Sequence, residues 1–248
     1  MLTINKVHQG DCIELMKEIE SGTVDMVLCD LPYGVTARNK WDTIIPFDKL
    51  WEQYERITKD NAAIVLFAQD KFTAHLVLSN EKIHRYNLIW DKEMTTGFLN
   101  ANKMPLRCHE DIVVFYNKPP VYNPQKTVGN KSHSKGHSQR EDVGGTNYNK
   151  ASTVDNVEEH GNMKFPTSIL RFQKVHPSKV RHPTEKPILL GEYLINTYTN
   201  PGDLVLDNCC GSGSFLAAAK NTGRNFIGID TAEDYCVIAR ERVKLHEK

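Results

Sequence analysis

The sequence predicts an α/β fold, a doubly wound, mostly parallel seven-stranded sheet, on three observations. Short apolar runs rich in β-branched residues alternate with segments of helical periodicity, as expected of a sheet covered by helices on both faces. Two of those runs deliver an acid straight into a turn, and one long polar stretch interrupts the alternation. A chain of 248 residues with 40% apolar content is long enough to bury an ordinary core.

In chain order, the strands fall at Lys6 to His8, Met26 to Cys29, Ala63 to Ala68, Tyr86 to Trp90, Ile112 to Tyr116, Leu204 to Leu206 and Phe226 to Ile229. Between them Leu50, Trp51, Tyr54 and Ile57 recur at helical spacing, as do Leu190, Tyr193, Leu194 and Tyr198, then Tyr235, Ile238, Ala239 and Val243. Each set would bury one stripe on the sheet. No apolar run approaches the length of a membrane span, and MLTINKVHQGD has neither a basic leader nor an apolar stretch, so a cytoplasmic protein with no membrane contact is expected. Six cysteines occur without a CxxC spacing, and His109-Glu110 has no second histidine at helical spacing. Reduced thiols and no metal site follow.

Lysine plus arginine balance aspartate plus glutamate at 31 each, yet the charge is unevenly spread. Residues 117–181 hold eleven basic and five acidic side chains, a local balance of +6 that leaves −6 for the rest. Much of this segment, KTVGNKSHSKGHSQREDVGGTNYNKAST, has almost nothing with which to build a core. It is a polar insertion suited to a polyanion, with Lys126, Lys131, Lys135 and Arg140 as candidate phosphate contacts. A disordered surface loop is the alternative for the segment taken alone.

The strongest local motif is Val205-Leu206-Asp207-Asn208-Cys209-Cys210-Gly211-Ser212-Gly213-Ser214-Phe215-Leu216, a strand ending in an acid, a glycine-rich turn and a helix. Such a turn admits close approach of a ligand to backbone N–H groups at a helix start. Asp230, seventeen residues past Gly213, closes the next strand, where an acid can take both hydroxyls of a ribose. A dinucleotide fingerprint needs a third glycine where this chain has Leu216, so a nicotinamide cofactor is the lesser choice. Asp207 would repel a pyrophosphate but suits the cationic amino end of S-adenosylmethionine. The second motif, Cys29-Asp30-Leu31-Pro32-Tyr33-Gly34, brings a carboxylate, a proline-stiffened turn and an aromatic ring to a sheet edge. A planar ring bearing an amine would stack on Tyr33 and donate to Asp30.

Asp30-Leu31-Pro32-Tyr33 resembles the (D/N/S)-P-P-Y catalytic motif of amino-methyltransferases. Arg181-His182-Pro183-Thr184-Glu185-Lys186-Pro187 and Asp207 to Ser214 resemble the H-P-T-x-K-P and D-P-F-x-G-S-G-T pair of DNA methyltransferases. With the catalytic motif first and the cofactor motifs last, the order is similar to the β-class of DNA N6-adenine and N4-cytosine methyltransferases, from Gly10-Asp11-Cys12 to Tyr235 and Arg242. The resemblance implies a Rossmann-like methyltransferase fold with a catalytic half at 1–116, a target-recognition insertion at 117–181 and a cofactor-binding half at 182–248.

It also implies roles. Asp30, Leu31, Pro32 and Tyr33 would be catalytic, with Asp30 also near the cofactor, S-adenosyl-L-methionine. Asp11 and Cys12 would lie at its adenine, Asp207, Cys209 and Gly211 to Gly213 at its methionine end, Asp230 at its ribose, and Thr184, Lys186 and Pro187 near its carboxylate. Three departures from the family pattern occur, at four positions: Leu31 for the first proline, Asn208-Cys209 for Pro-Phe, and Asp230 for the commoner glutamate. No Pro-Cys supplies the thiolate that methylation of a ring carbon needs, whereas transfer to an exocyclic amine needs none.

The implied activity is methylation of adenine N6 in double-stranded DNA by base flipping. Cytosine N4, an inert DNA-binding protein of the same fold and a nicotinamide-dependent oxidoreductase are the alternatives, separated by cofactor binding and methyl incorporation. The insertion is short for a recognition domain, which leaves room for a homodimer, a helper subunit or a restriction endonuclease as partner.

Overall fold

The computed structural model describes residues 2–34, 43–129, 162–175 and 185–245. They divide into a large unit, Met1–Asn123 with Ser168–Lys248, and a small one, Pro124–Thr167.

The large unit begins with β1 (Lys6–Gln9), α1 (Cys12–Met16), β2 (Val24–Cys29), α2 (Phe47–Ile57), β3 (Thr58–Ala68) and α3 (Lys71–Ser79). β4 (His84–Thr96) and β5 (Arg107–Phe115) form a hairpin joined through a 3-10 turn at Phe98–Asn100. In the small unit β6 (Thr127–Val128) pairs antiparallel with β7 (Met163–Lys164). The large unit resumes with β8 (Ile169–Arg171), α4 (Ile188–Tyr198), β9 (Leu204–Asp207), α5 (Ser214–Asn221), β10 (Asn225–Asp230) and α6 (Glu233–Leu245).

Eight of the described strands form one sheet in the order β1-β10-β9-β2-β3-β5-β4-β8. It is parallel from β1 to β3, while β5 runs antiparallel to both its neighbours. All seven expected strands lie in it, most of them longer than the apolar runs suggested. The eighth, β8, comes from the stretch that the sequence assigns to the polar insertion. Only Leu170 of its three residues is buried, too little for a period to show.

Central strands are apolar on both faces. Met26, Leu28, Val65 and Phe67 join one core layer with Leu194, Phe215 and Ala239, while Val27, Cys29, Ile64 and Leu66 join the other with Leu50, Tyr54 and Ile57. This is why the runs read as continuous rather than alternating. Close helix packing is enforced by small residues: a Cβ on Gly228 would meet Leu216 at 2.4 Å, and one on Gly213 would meet Ala239 of α6 at 2.8 Å. Among the described residues no helix is long and apolar enough to cross a membrane.

From β9 the chain winds through α5 to β10, and from β2 through α2 to β3, in opposite directions along the sheet. β9 and β2 are neighbours, so their carboxyl ends flank a topological switch point, where open α/β sheets bind ligands.

The charges of α6 do not form a merely solvated face. Arg242 is buried and donates to Glu185 Oε1 at 2.9 Å and to Ser214 Oγ at 2.7 Å. The helix is thereby tied to the segment before α4 and to the start of α5. Removing one partner of a buried ion pair strands the other charge, so Arg242→Ala should cost about 3–5 kcal/mol of stability. Urea unfolding of the variant and of an Arg242→Met, Glu185→Leu pair, which removes both charges and should lose much less, measures this.

Candidate active site

A cavity of about 440 Å³ opens at the switch point, within the size range of small-molecule sites. Its wall gathers Asp11, Cys12, Asp30, Leu31, Pro32 and Tyr33 from the first part of the chain with Lys186, Asp207, Cys209, Gly211 and Asp230 from the last. The structure thus brings together eleven of the residues singled out by sequence. Pro187 and Gly213 are not on the wall. Pro187 caps α4, accepting from Leu190 and Gly191, and Gly213 has φ +77°, where its lack of a side chain serves the contact with α6. Thr184, like Lys131, Lys135 and Arg140, lies outside the described residues. Lys126 is in the small unit, its Nζ 4.5 Å from the centre of the Phe165 ring.

Asp30 directly follows β2. Its Oδ1 accepts from Tyr33 Oη at 2.6 Å and its Oδ2 from Lys186 Nζ at 2.5 Å. Lys186 also lies 3.1 Å from Glu110 Oε2, an ion-pair distance without hydrogen-bond alignment, and Glu110 Oε1 is 2.7 Å from Lys92 Nζ. A row of alternating charge, the partly buried Asp30 and Glu110 with the buried Lys186 and Lys92, therefore runs inward from the cavity wall. Aromatic rings surround it, with Lys186 Nζ 5.2 Å from the centre of Phe67 and 6.0 Å from that of Trp90. Burial pushes the Asp30 carboxyl above its ordinary range despite Lys186. Burial alone would lower the Lys186 ammonium, but Asp30 and Glu110 outweigh it and hold the proton more tightly.

Of this row the sequence offers Asp30 and Lys186 as site residues, and Trp90 and Lys92 of Leu88-Ile89-Trp90-Asp91-Lys92 as residues that could flank the pocket; Glu110 is the member it missed. Glu110 sits beside a histidine and suggested only an incomplete metal motif. Trp90, more often core than site by its type, is both: it is 1% exposed, donates to Phe172 O at 2.7 Å and lines the cavity. The signal that could have found Glu110 is that it stands at the same end of two successive strands as Trp90 and Lys92.

On the other side of the switch point the turn after β9 is held by acids. Asp230 Oδ2 accepts from Gly211 N at 2.8 Å and Oδ1 from Ala232 N at 2.9 Å, which fixes the glycine-rich turn against β10. Each oxygen keeps a lone pair for a further donor. Asp11 caps α1 through Oδ1, accepting from Ile13 N and Glu14 N at 2.9 and 3.1 Å. Asn208 is buried, accepts from Tyr54 Oη at 2.6 Å and donates to Cys209 Sγ at 3.7 Å, while Cys209 packs against the core cluster that holds Cys12 and Cys29. Burial pushes the Cys29 thiol up to about 12, and Cys12 and Cys209 are raised too, so none of the three offers a thiolate.

Asp207 is 2% exposed, and among the described residues no ion pair reaches it. Burial pushes its carboxyl up to about 8 against the bond from Cys209 N. A buried, cavity-facing acid of this kind is neutral when alone and ionises when a cation is brought to it.

Fold and cavity together define an enzyme of the Rossmann-like methyltransferase class. Within that class the chain belongs to the N6/N4 family of DNA methylases, whose family model, described as DNA methylase, matches residues 24–241. It is 27% identical to the Type II methyltransferase M1.MboII of Moraxella bovis over 95% of each chain. Its fold is that of the M1.HpyAVI–SAM complex (TM-score 0.66, 21% identity, 96% of this chain and 98% of that one). It is equally that of PvuII DNA methyltransferase, cytosine-N4-specific (TM-score 0.68, 13% identity, 95% and 85%).

The raised Asp207 carboxyl has a consequence for stability. The folded chain holds this proton more tightly than the unfolded one, so its contribution is fully present below about pH 4 and is lost as pH rises towards about 8. Asp207→Asn, which cannot ionise, should melt several degrees above the wild type at pH 8 without added ligand, and close to it at pH 4.5. Thermal scans at the two pH values read this, at roughly 2–4 °C per kcal/mol for a chain of this size.

Proposed function

We propose that the chain transfers the methyl group of S-adenosyl-L-methionine to the exocyclic N6 of adenine in double-stranded DNA. The observation that carries this reading is the pair of acids at the carboxyl ends of adjacent strands, the partly buried Asp30 at β2 and the buried Asp207 at β9, facing one cavity. The donor set fits the cofactor. Asp207 is a buried carboxylate awaiting a cation, which matches an α-ammonium, and the Gly211 turn offers backbone N–H groups. Asp230 and Asp11 are acceptors for ribose hydroxyls and for the adenine amine. Lys186 is committed to Asp30 and Glu110, so its part is to hold the catalytic carboxylate rather than to reach the methionine end.

The cofactor supplies an electrophilic methyl group on a sulfonium. Everything else is positioning by the protein. The lone pair of an exocyclic amine is delocalised into its ring, and N–H bonds to Asp30 and to the carbonyl of the Leu31-Pro32 turn favour a tetrahedral nitrogen whose lone pair is available. Lys186 and Tyr33 hold the Asp30 carboxylate in place for this. Its raised pKa suits it to take, at Oδ1 or Oδ2, the proton that the amine gives up. Because the amine is paired inside a duplex, the base is flipped into the cavity, with Tyr33 replacing lost stacking. The carboxylate at position 30 favours adenine, since serine is common there in cytosine-N4 enzymes. The relatives named Type II methyltransferases support a restriction–modification setting. The basic stretch 117–181 would contact phosphates.

Single-molecule sequencing of DNA from cells expressing the protein identifies the methylated base and motif together. N4-methylcytosine in place of N6-methyladenine would overturn the choice of base. Asp30→Ala should lower methyl transfer by about 10²–10⁴-fold and Tyr33→Ala by roughly 10–100-fold, with calorimetric affinity for S-adenosyl-L-methionine kept. Asp207→Asn should show the reverse, a loss of about 10–100-fold in cofactor affinity, with the proton release on binding near pH 7 abolished.

The phosphate-contact reading has its own measure. Neutralising Lys131, Lys135 and Arg140 together should flatten the plot of log DNA affinity against log salt by about 0.9 per lost contact and leave cofactor affinity unchanged. An unaltered slope in the triple variant would remove these residues from the DNA surface.

A further inference from the structure

The β4–β5 hairpin leaves the sheet at the rim of the cavity, where Trp90 and Glu110 face each other across it and both line the wall. Beyond that pair the register shifts: Asp91 faces His109 but Thr96 faces Arg107, so β4 gains residues and bulges, with Glu93 at φ +51°. The turn at Gly97 (φ +87°) then presents Phe98 and Leu99 at 80% and 97% exposure, with Met104 at 52% on the return limb. From Met94 to Cys108 the hairpin carries Lys103 and Arg107 and no acid; Arg107 is paired with Asp70 at 3.3 Å, so Lys103 is the cation of the tip itself.

Two adjacent large apolar side chains left almost wholly in water mark a contact surface rather than ordinary scatter. The occupant follows from place and charge. The tip projects from the edge of the sheet that carries Asp30, it bears Lys103 and no acid between Met94 and Cys108, and the family to which the chain belongs acts on DNA. Arg107 lies three positions along the strand from Glu110, about 10 Å at the strand rise of ~3.4 Å, and the turn adds to this, enough to traverse a minor groove ~7.5 Å deep. Apolar side chains pushed between base steps are a known means of unstacking a duplex.

We propose that Phe98 and Leu99 form a wedge that enters the duplex beside the target base and helps to extrude it into the cavity, with Lys103 seating the hairpin on the backbone. The proposal rests on the base-flipping reading above. Its test uses two duplexes carrying the methylated motif, one intact and one with an abasic position opposite the target, so that the target is already unpaired. Phe98→Ala/Leu99→Ala should lower kcat/KM on the intact duplex by at least about tenfold, the effect of ~1.4 kcal/mol on the barrier, and leave the abasic duplex within about twofold of wild type. With 2-aminopurine at the target position, wild-type protein should raise the fluorescence on binding without any turnover, and the double variant should not. Both side chains are exposed, so melting temperature and cofactor affinity should stay as they are.

Unchanged rates on the intact duplex, an equal loss on both duplexes, or a shift of oligomeric state by light scattering in the double variant would each overturn the wedge. The last would make the tip a contact between copies. Absence of methyl transfer by the wild type on either duplex would instead overturn the methyltransferase reading beneath it.

Discussion

Carboxylates crowd the carboxyl edge of this sheet, and the arrangement of the site is the set of solutions to that crowding. Asp30 follows β2, Asp207 ends β9, Asp230 ends β10, Glu110 comes from β5 and Glu185 precedes α4. Taking an ion out of water costs several kcal/mol unless it is answered within bonding distance. Lys186 answers Asp30 and Glu110, Lys92 answers Glu110, and Arg242 answers Glu185. Asp230 is met by two backbone N–H groups. Asp207 is left with a proton, which makes it the acid on which a cationic ligand has most to gain.

The position of Lys186 matters most. It is held from both sides, one carboxylate at 2.5 Å and the other at 3.1 Å, and is enclosed by Phe67 and Trp90. Strong hydration of an ammonium favours the surface, so a buried lysine persists only where such partners over-determine it. Asp30 consequently has a fixed orientation before any base arrives, and the stiffness comes from the antiparallel β4–β5 pair, which adds Lys92 and Glu110 to a site otherwise built from parallel strands. The same hairpin extends outward to the exposed apolar turn at Phe98 and Leu99. One element thus supports the catalytic carboxylate at its base and meets solvent at its tip.

Cys209 stands where the family pattern has an aromatic residue, and it packs against the core cluster that holds Cys12 and Cys29. With Asn208 anchored by Tyr54, the turn after Asp207 is supported by small polarisable side chains. With burial raising these thiols, their contribution is packing and weak hydrogen bonding rather than nucleophilic chemistry.

By itself the sequence determined the layered fold, because seven apolar runs and three helical stripes leave few other ways of burying those faces. It also determined which motifs meet: strands that end in Asp30, Asp207 and Asp230 and belong to one doubly wound sheet must present those acids at one edge. Both inferences depend on short-range periodicity and on chain order, which sequence carries directly. Only the tertiary structure decided that Lys186 turns to Asp30, that Glu110 and Lys92 complete the row, that Arg242 is buried against Glu185, and that Gly213 serves helix packing rather than the cavity wall. Those outcomes join residues far apart in sequence, such as the 76 positions between Glu110 and Lys186, and rest on distances of a few ångströms that no local pattern encodes. The short strand Ile169–Arg171 was hidden for the same reason: one buried leucine has no period, and its partner β4 lies some eighty residues earlier in the chain.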